Sequence, residues 1–211
     1  MKINKVVRKD EKNIAIYFDN NEKLILSEDT FYKSGLRKGD EVSEDRYSFF
    51  IEQNILYHIK LRALSFLSRR IHSEKELLMK LKSKSYDERL IKIVLNDLKK
   101  LSFIDDRNFT VHFIEEKLKR KKWGSNKIRA ALFSRGVSFK IIDEVLSEFD
   151  NTENNYELVN ELARKKMEQL KKRNLDDRQI YQKTVAFLIG RGFDYSISTE
   201  VCNKIIKLDF D

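Results

Sequence analysis

The sequence contains no proline, one cysteine and six glycines in 211 residues. Without proline, helices can run with no forced break. The single thiol, Cys202, excludes an intramolecular disulfide and points to a reducing, cytoplasmic compartment. No run of about 18 apolar residues occurs, so no membrane-spanning helix and no membrane partner is expected. The opening residues, MKINKVVRKDEKN, lack the apolar core of a signal peptide. Catalytic signatures are missing as well. His58, His72 and His112 fall in no metal-ligand spacing with Cys202. Neither a G-x-x-x-x-G-K-[ST] phosphate loop nor a G-x-S-x-G elbow is present. The chain reads as a non-enzyme, with no metal and no cofactor expected.

What is present is a globular mixture, 41% hydrophobic and 36% charged, with a net charge of +9. The charge is uneven. Residues 1–54 carry 10 Lys/Arg and 11 Asp/Glu, whereas residues 55–211 carry 33 and 23. A surplus confined to one part suggests a surface that faces a polyanion. A lysine-rich surface that only keeps the protein soluble is the plainer alternative.

The first 54 residues form a small α+β unit with a short hairpin or sheet. NIAIYFDNNEKLILS reads as two strands around Asn20-Asn21, a pair that tolerates positive φ, and the KVV at residues 5–7 adds a third. A helical turn closed by Gly35 and a turn at Lys38-Gly39-Asp40 follow. From about residue 55 the spacing becomes helical, with Ile55, Ile59, Ala63, Phe66 and Leu67 on one face. Ser73 with Glu76 has the form of a capping box, and Asp87 starts a further helix bearing Leu90, Ile91, Val94, Leu95 and Leu98.

This block recurs. When Leu81, Leu132 and Leu188 are aligned, Ser85, Gly136 and Gly192 follow four residues later, and Val94, Val145 and Val201 follow thirteen later. Three tandem three-helix repeats fit the register: residues 55–104, 105–150 and 151–211. Such arrays tend to be elongated and curved. The fold class expected is therefore mainly α, behind the small amino-terminal unit. Within the register Cys202 stands where the other copies have leucine, which makes it a small buried apolar side chain. Asp105-Asp106 and the LDDR at residues 175–178 read as helix starts, one Asp capping and the next meeting the dipole, rather than as a magnesium site.

KLKRKKWGSNKIR, residues 117–129, holds seven positive charges, no acid and the only Trp. On a helix, consecutive residues point about 100° apart, so Lys119, Arg120, Lys121 and Lys122 surround the axis and project into solvent or against a polyanion. Lys127 and Arg129 extend the basic run along the next helix. Trp123 either stacks on a base or packs into the core beside Gly124. Arg69-Arg70 and Lys171-Lys172-Arg173 sit at corresponding places in the other copies. Together these twelve residues are the candidate contact with DNA or a DNA–protein filament.

LSRRIHSEKELLMKL, followed by VLNDLKKLSFIDDRNFTVHFIEEKLKRKKWGSNKIRAALFSRGV, resembles the RecX family, bacterial regulators of the RecA recombinase. The close match covers about residues 60–150. Ser85 and Ser102 depart from it, standing where the family usually has glycine. The resemblance implies a protein without catalysis that binds the RecA filament on single-stranded DNA. It also implies suppression of strand exchange, ATP hydrolysis and co-protease activity. Single-stranded DNA, and more weakly duplex DNA, are implied as further partners. The alternative is a helix-turn-helix transcription regulator, because triplets of short helices also suit that role. No dimerisation heptad is evident, and a monomer is expected.

Overall fold

The computed structural model describes residues 1–149, 152–173 and 175–208. The chain divides into two compact units, Met1–Ile104 and Asp105–Asp211.

The first unit opens with an antiparallel sheet of order β1-β2-β3, formed by Ile3–Arg8, Asn13–Phe18 and Lys23–Ser27. Asn21, with φ 66, makes the β2–β3 turn, as expected of the Asn-Asn pair. Ile14 faces Leu26 and Ile16 faces Leu24 across the ladder. These four side chains form a core with Ile3, Phe18, Leu36, Val42 and Phe50. Helix α1, Glu28–Ser34, is capped by Ser27 and closed by Gly35 in the left-handed conformation. Helix α2 then runs without interruption from Glu44 to Leu67. The division expected between residues 54 and 55 therefore falls inside one helix. Phe50 of α2 enters the sheet's core, whereas Ile59 and Ala63 enter the next one. At the crossover, Asn54 accepts from Ser27 N–H (2.8 Å) and donates to Ile25 C=O (3.1 Å), tying α2 to β3.

Three helical triplets follow. The first joins α2 to α3 (Glu74–Lys82) and α4 (Glu88–Lys100). The second is α5 (Asp106–Glu116), α6 (Ser125–Ser134) and α7 (Phe139–Glu148). The third is α8 (Thr152–Lys171), α9 (Asp177–Gly190) and α10 (Tyr195–Leu208). The repeat register holds at atomic level. Leu81, Leu132 and Leu188 are each fully buried. Ser85, Gly136 and Gly192 have φ of 63, 84 and 93, so each triplet closes its middle helix with a left-handed residue. Ser85 and Ser102 hold that conformation without glycine's freedom.

Side-chain caps start most of the helices. Asp87 accepts from Arg89 and Leu90 N–H, and Asp105 from Arg107 (2.8 Å) and Asn108 (3.0 Å). Asp176 accepts from Gln179 N–H at 2.7 Å. Both Asp-Asp pairs thus act as helix starts. Cys202 is fully buried in the third core, and burial pushes its thiol up to about 11, which leaves it unreactive.

Candidate nucleic-acid interface

Each basic cluster follows the first helix of its triplet: Arg69-Arg70 after α2, Lys119–Lys122 after α5, and Lys171–Arg173 at the end of α8. The middle cluster is built differently from a simple helix end. Residues Lys117–Lys121 widen into a π-helical turn. Lys117 C=O accepts from the N–H of both Lys122 and Trp123, and Lys122 turns left-handed at φ 50. The four cations therefore do not spiral around an α-helical axis as the sequence suggests.

Their environments separate them. Lys119, Arg120 and Lys121 are exposed, and their side chains make no hydrogen bond or ion pair among the described residues. Lys122 is committed: its ammonium meets both carboxylate oxygens of Glu161 on α8 at 2.9 Å. Lys165 donates to the same carboxylate, and Lys165 and then Lys122 hold the Glu161 carboxyl down to about 2.

Trp123 neither enters the core nor stands clear for stacking. Its half-buried ring has the ammonium of Lys127 at 4.9 Å from its centroid and that of Lys117 at 5.6 Å. Lys127 and Arg129 do not extend the basic run into solvent. Lys127 donates to Gly190 C=O at 3.0 Å, and Arg129 pairs with Asp143 at 2.9 Å. Local partners on neighbouring elements satisfy these charges. Arg70 is likewise tied to Glu76 and to Ile71 C=O, both at 2.8 Å, whereas Arg69 is exposed. Lys171, Lys172 and Arg173 are exposed at the end of α8. Of the twelve candidates, Arg69, Lys119, Arg120, Lys121, Lys172 and Arg173 keep their charge uncommitted within the described residues.

The basic turn is anchored through an unusual junction inside the second unit. Helix α6 has no side chain capping its start. Its first donors go instead to the carboxyl end of α9: Gly124 N–H to Arg191 C=O (2.8 Å) and Asn126 N–H to Gly192 C=O (3.1 Å). The amino end of α6 thus meets the carboxyl end of α9 head to tail, and two donors at the start of α6 find backbone acceptors just past α9. Arg191 returns a bond to Lys121 C=O at 2.9 Å, and Asn126 donates to the Asp194 carboxylate at 2.6 Å. Nothing local in the sequence announces this junction, because its partners lie more than 60 residues apart.

The three triplets match, in order, the first, second and third three-helix domains of RecX, over residues 60–98, 105–146 and 153–202. A regulatory protein RecX from Clostridium acetobutylicum is 34% identical over 201 residues, covering 95% of this chain and 93% of its own. The chain belongs to the RecX family. A regulatory protein RecX of Clostridium tetani is 32% identical across 99% of this chain and 97% of its own. A crystal structure of regulatory protein RecX superposes with a TM-score of 0.79 at 25% identity, over 96% of this chain and 98% of that one. RecX from Lactobacillus salivarius shares the fold, with a TM-score of 0.64 at 23% identity over 75% of this chain and 99% of its own. The chain is thus a regulatory-type RecX protein. Among the described residues no helix is long and apolar enough to cross a membrane, and no cluster of three metal-ligating side chains occurs.

Proposed function

We propose that this RecX protein is a non-catalytic regulator that binds the RecA filament on single-stranded DNA and suppresses its strand exchange, ATP hydrolysis and co-protease activity. The observation that carries the reading is the match of all three consecutive helical triplets to RecX domains in their proper order. Lys119, Arg120 and Lys121 support it as an uncommitted positive turn suited to phosphates, which position a protein without reading bases.

The test is RecA ATPase on single-stranded DNA with and without this protein. Hydrolysis should fall as the protein is added, and an unchanged rate refutes the reading. The contribution of charge is measured separately by salt titration of single-stranded DNA binding. Each phosphate contact contributes about 0.7 to the slope of log affinity against log salt. Replacing Lys119, Arg120 and Lys121 by alanine should therefore flatten that slope by about 2. Lys122 is left out because Glu161 already holds it. A transcription regulator would instead prefer one duplex sequence.

A further inference from the structure

Phe133, near the end of α6, and Phe139, the first residue of α7, stack across the turn between their helices. Their ring centroids lie 4.4 Å apart at an interplanar angle of 18°. Both remain 52% exposed. A stacked pair left half in water gains little from burial, so the arrangement calls for another explanation.

The repeat register supplies a comparison within the same chain. The equivalent positions in the first triplet are Lys82 and Glu88, which form an ion pair at 2.6 Å. That solution suits the site, because Glu88 is the first residue of α4 and an acid there meets the helix dipole. In the third triplet the same positions hold Ile189 and Tyr195, which are 44% and 69% exposed. Tyr195 is again the first residue of its helix. Two of the three copies thus replace a serviceable surface ion pair with exposed apolar groups at the same turn. A lone exposed aromatic needs no account. A recurrence at one position, with an aromatic at the helix start both times, does.

Charge decides the kind of partner. Of the nine Lys and Arg between Lys117 and Ile142, Lys119, Arg120 and Lys121 are exposed with side chains that make no hydrogen bond or ion pair among the described residues. Lys140, next to Phe139, is exposed and makes no hydrogen bond or ion pair among the described residues. An apolar protein helix would not require those uncommitted cations. A chain of phosphates carrying flat, unpaired bases would, since cations track the backbone and aromatic rings take the bases. We propose that the Phe133–Phe139 pair is a base-stacking platform for single-stranded nucleic acid, distinct from the phosphate-facing turn at Lys119–Lys121. The site deepens the DNA-contact part of the reading above and rests on it only there.

The experiment uses the full-length protein and two labelled probes, oligodeoxythymidylate and an abasic strand of the same length, which keeps the phosphates and lacks the bases. The variants are F133L/F139L and F133K/F139E. The second installs the ion pair of the first triplet, so the turn keeps a proven solution and net charge is unchanged. Both should lose about 5- to 100-fold in affinity for the thymidylate strand, the range of one base–aromatic stack. Affinity for the abasic strand, salt slope and melting temperature should hold. Unchanged thymidylate affinity overturns the proposal, as does an equal loss on both strands. Loss of RecA inhibition without loss of strand affinity overturns it too, and makes the pair a protein-docking face. Should the wild type leave RecA ATPase untouched yet discriminate the two strands through these rings, the platform stands and the filament reading falls.

Discussion

The junction between α6 and α9 can be dissected with glycine-to-alanine changes, because the glycines of this chain differ in conformation and in surroundings. Gly190 has ordinary helical geometry and open space around it, so a methyl there should stabilise by about 0.5–1 kcal/mol. Gly35 has φ +67 and open space, so Gly35→Ala meets only the left-handed penalty of about 1–2 kcal/mol. A stiffer unfolded chain offsets about 0.4–1 kcal/mol of it. Gly124 has φ −78, which any residue tolerates, but a Cβ there would sit 2.3 Å from Gly192 O and 2.5 Å from Phe193 N. These are backbone atoms about 1 Å inside ordinary contact, so the junction must open. Opening breaks the bonds from Gly124 and Asn126 N–H, worth about 0.5–1.5 kcal/mol each, and strands donors at a helix start that has no side-chain cap. Gly124→Ala should therefore cost about 2–4 kcal/mol. Gly192→Ala adds left-handed strain to contacts of 2.4 Å with Lys127, and should cost more still. Urea unfolding followed by the fluorescence of Trp123, the only tryptophan and the neighbour of Gly124, reads the second unit directly. If Gly124→Ala is no more damaging than Gly190→Ala in the same unit, the head-to-tail junction does not carry the stability assigned to it.

Further outcomes follow from single side chains. Asp105→Ala should lower stability by about 0.5–2 kcal/mol, and magnesium should leave the melting temperature of the wild type unchanged, as expected of a cap rather than a metal ligand. His72 is 2% exposed, donates from Nδ1 to Arg70 C=O and leaves Nε2 without a hydrogen-bond partner among the described residues. Burial first, and then the nearby charges of Arg70 and Lys80, lower its pKa below 6.5. The folded state therefore disfavours the charged ring. Its contribution is complete above 6.5 and is lost as pH falls through the folded value. Urea midpoints should drop on acidification below pH 6.5, with a shallower drop in His72→Phe; equal slopes would refute the assignment.

What the sequence makes legible is what local geometry decides. Asp87, Asp105 and Asp176 identify themselves as caps because the donors they accept from lie two or three residues away. The left-handed closures at Gly136 and Gly192 are legible through the repeat, which also exposes Ser85 as the same device in a less suitable residue. Helix α2 is only half legible, for a physical reason. Its Phe50 serves one core and its Ile59 and Ala63 another, so no single apolar stripe runs along it. The start signal, Ser43 followed by Glu44 and Asp45, is local and present, but it is masked by that divided pattern.

The basic turn shows the sharper limit. Composition marks residues 117–129 as one cationic block, yet charge on the page is not charge available to a ligand. Glu161, Asp143 and Gly190 C=O lie 14 to 63 residues from the cations they engage, and each removes one candidate from the free surface. No count of Lys and Arg can anticipate this, because commitment depends on which element packs beside each side chain. Phe133 and Phe139 present the converse case. Their types suggest core, and only the fold shows them stacked in solvent. The signal that could have found them was nevertheless in the repeat: at the positions where one copy has Lys82 and Glu88, a core residue has no place, so an aromatic in another copy must face outward as well. Internal repetition thus reads exposure as reliably as burial, provided the polar copies are aligned with the same care as the apolar anchors.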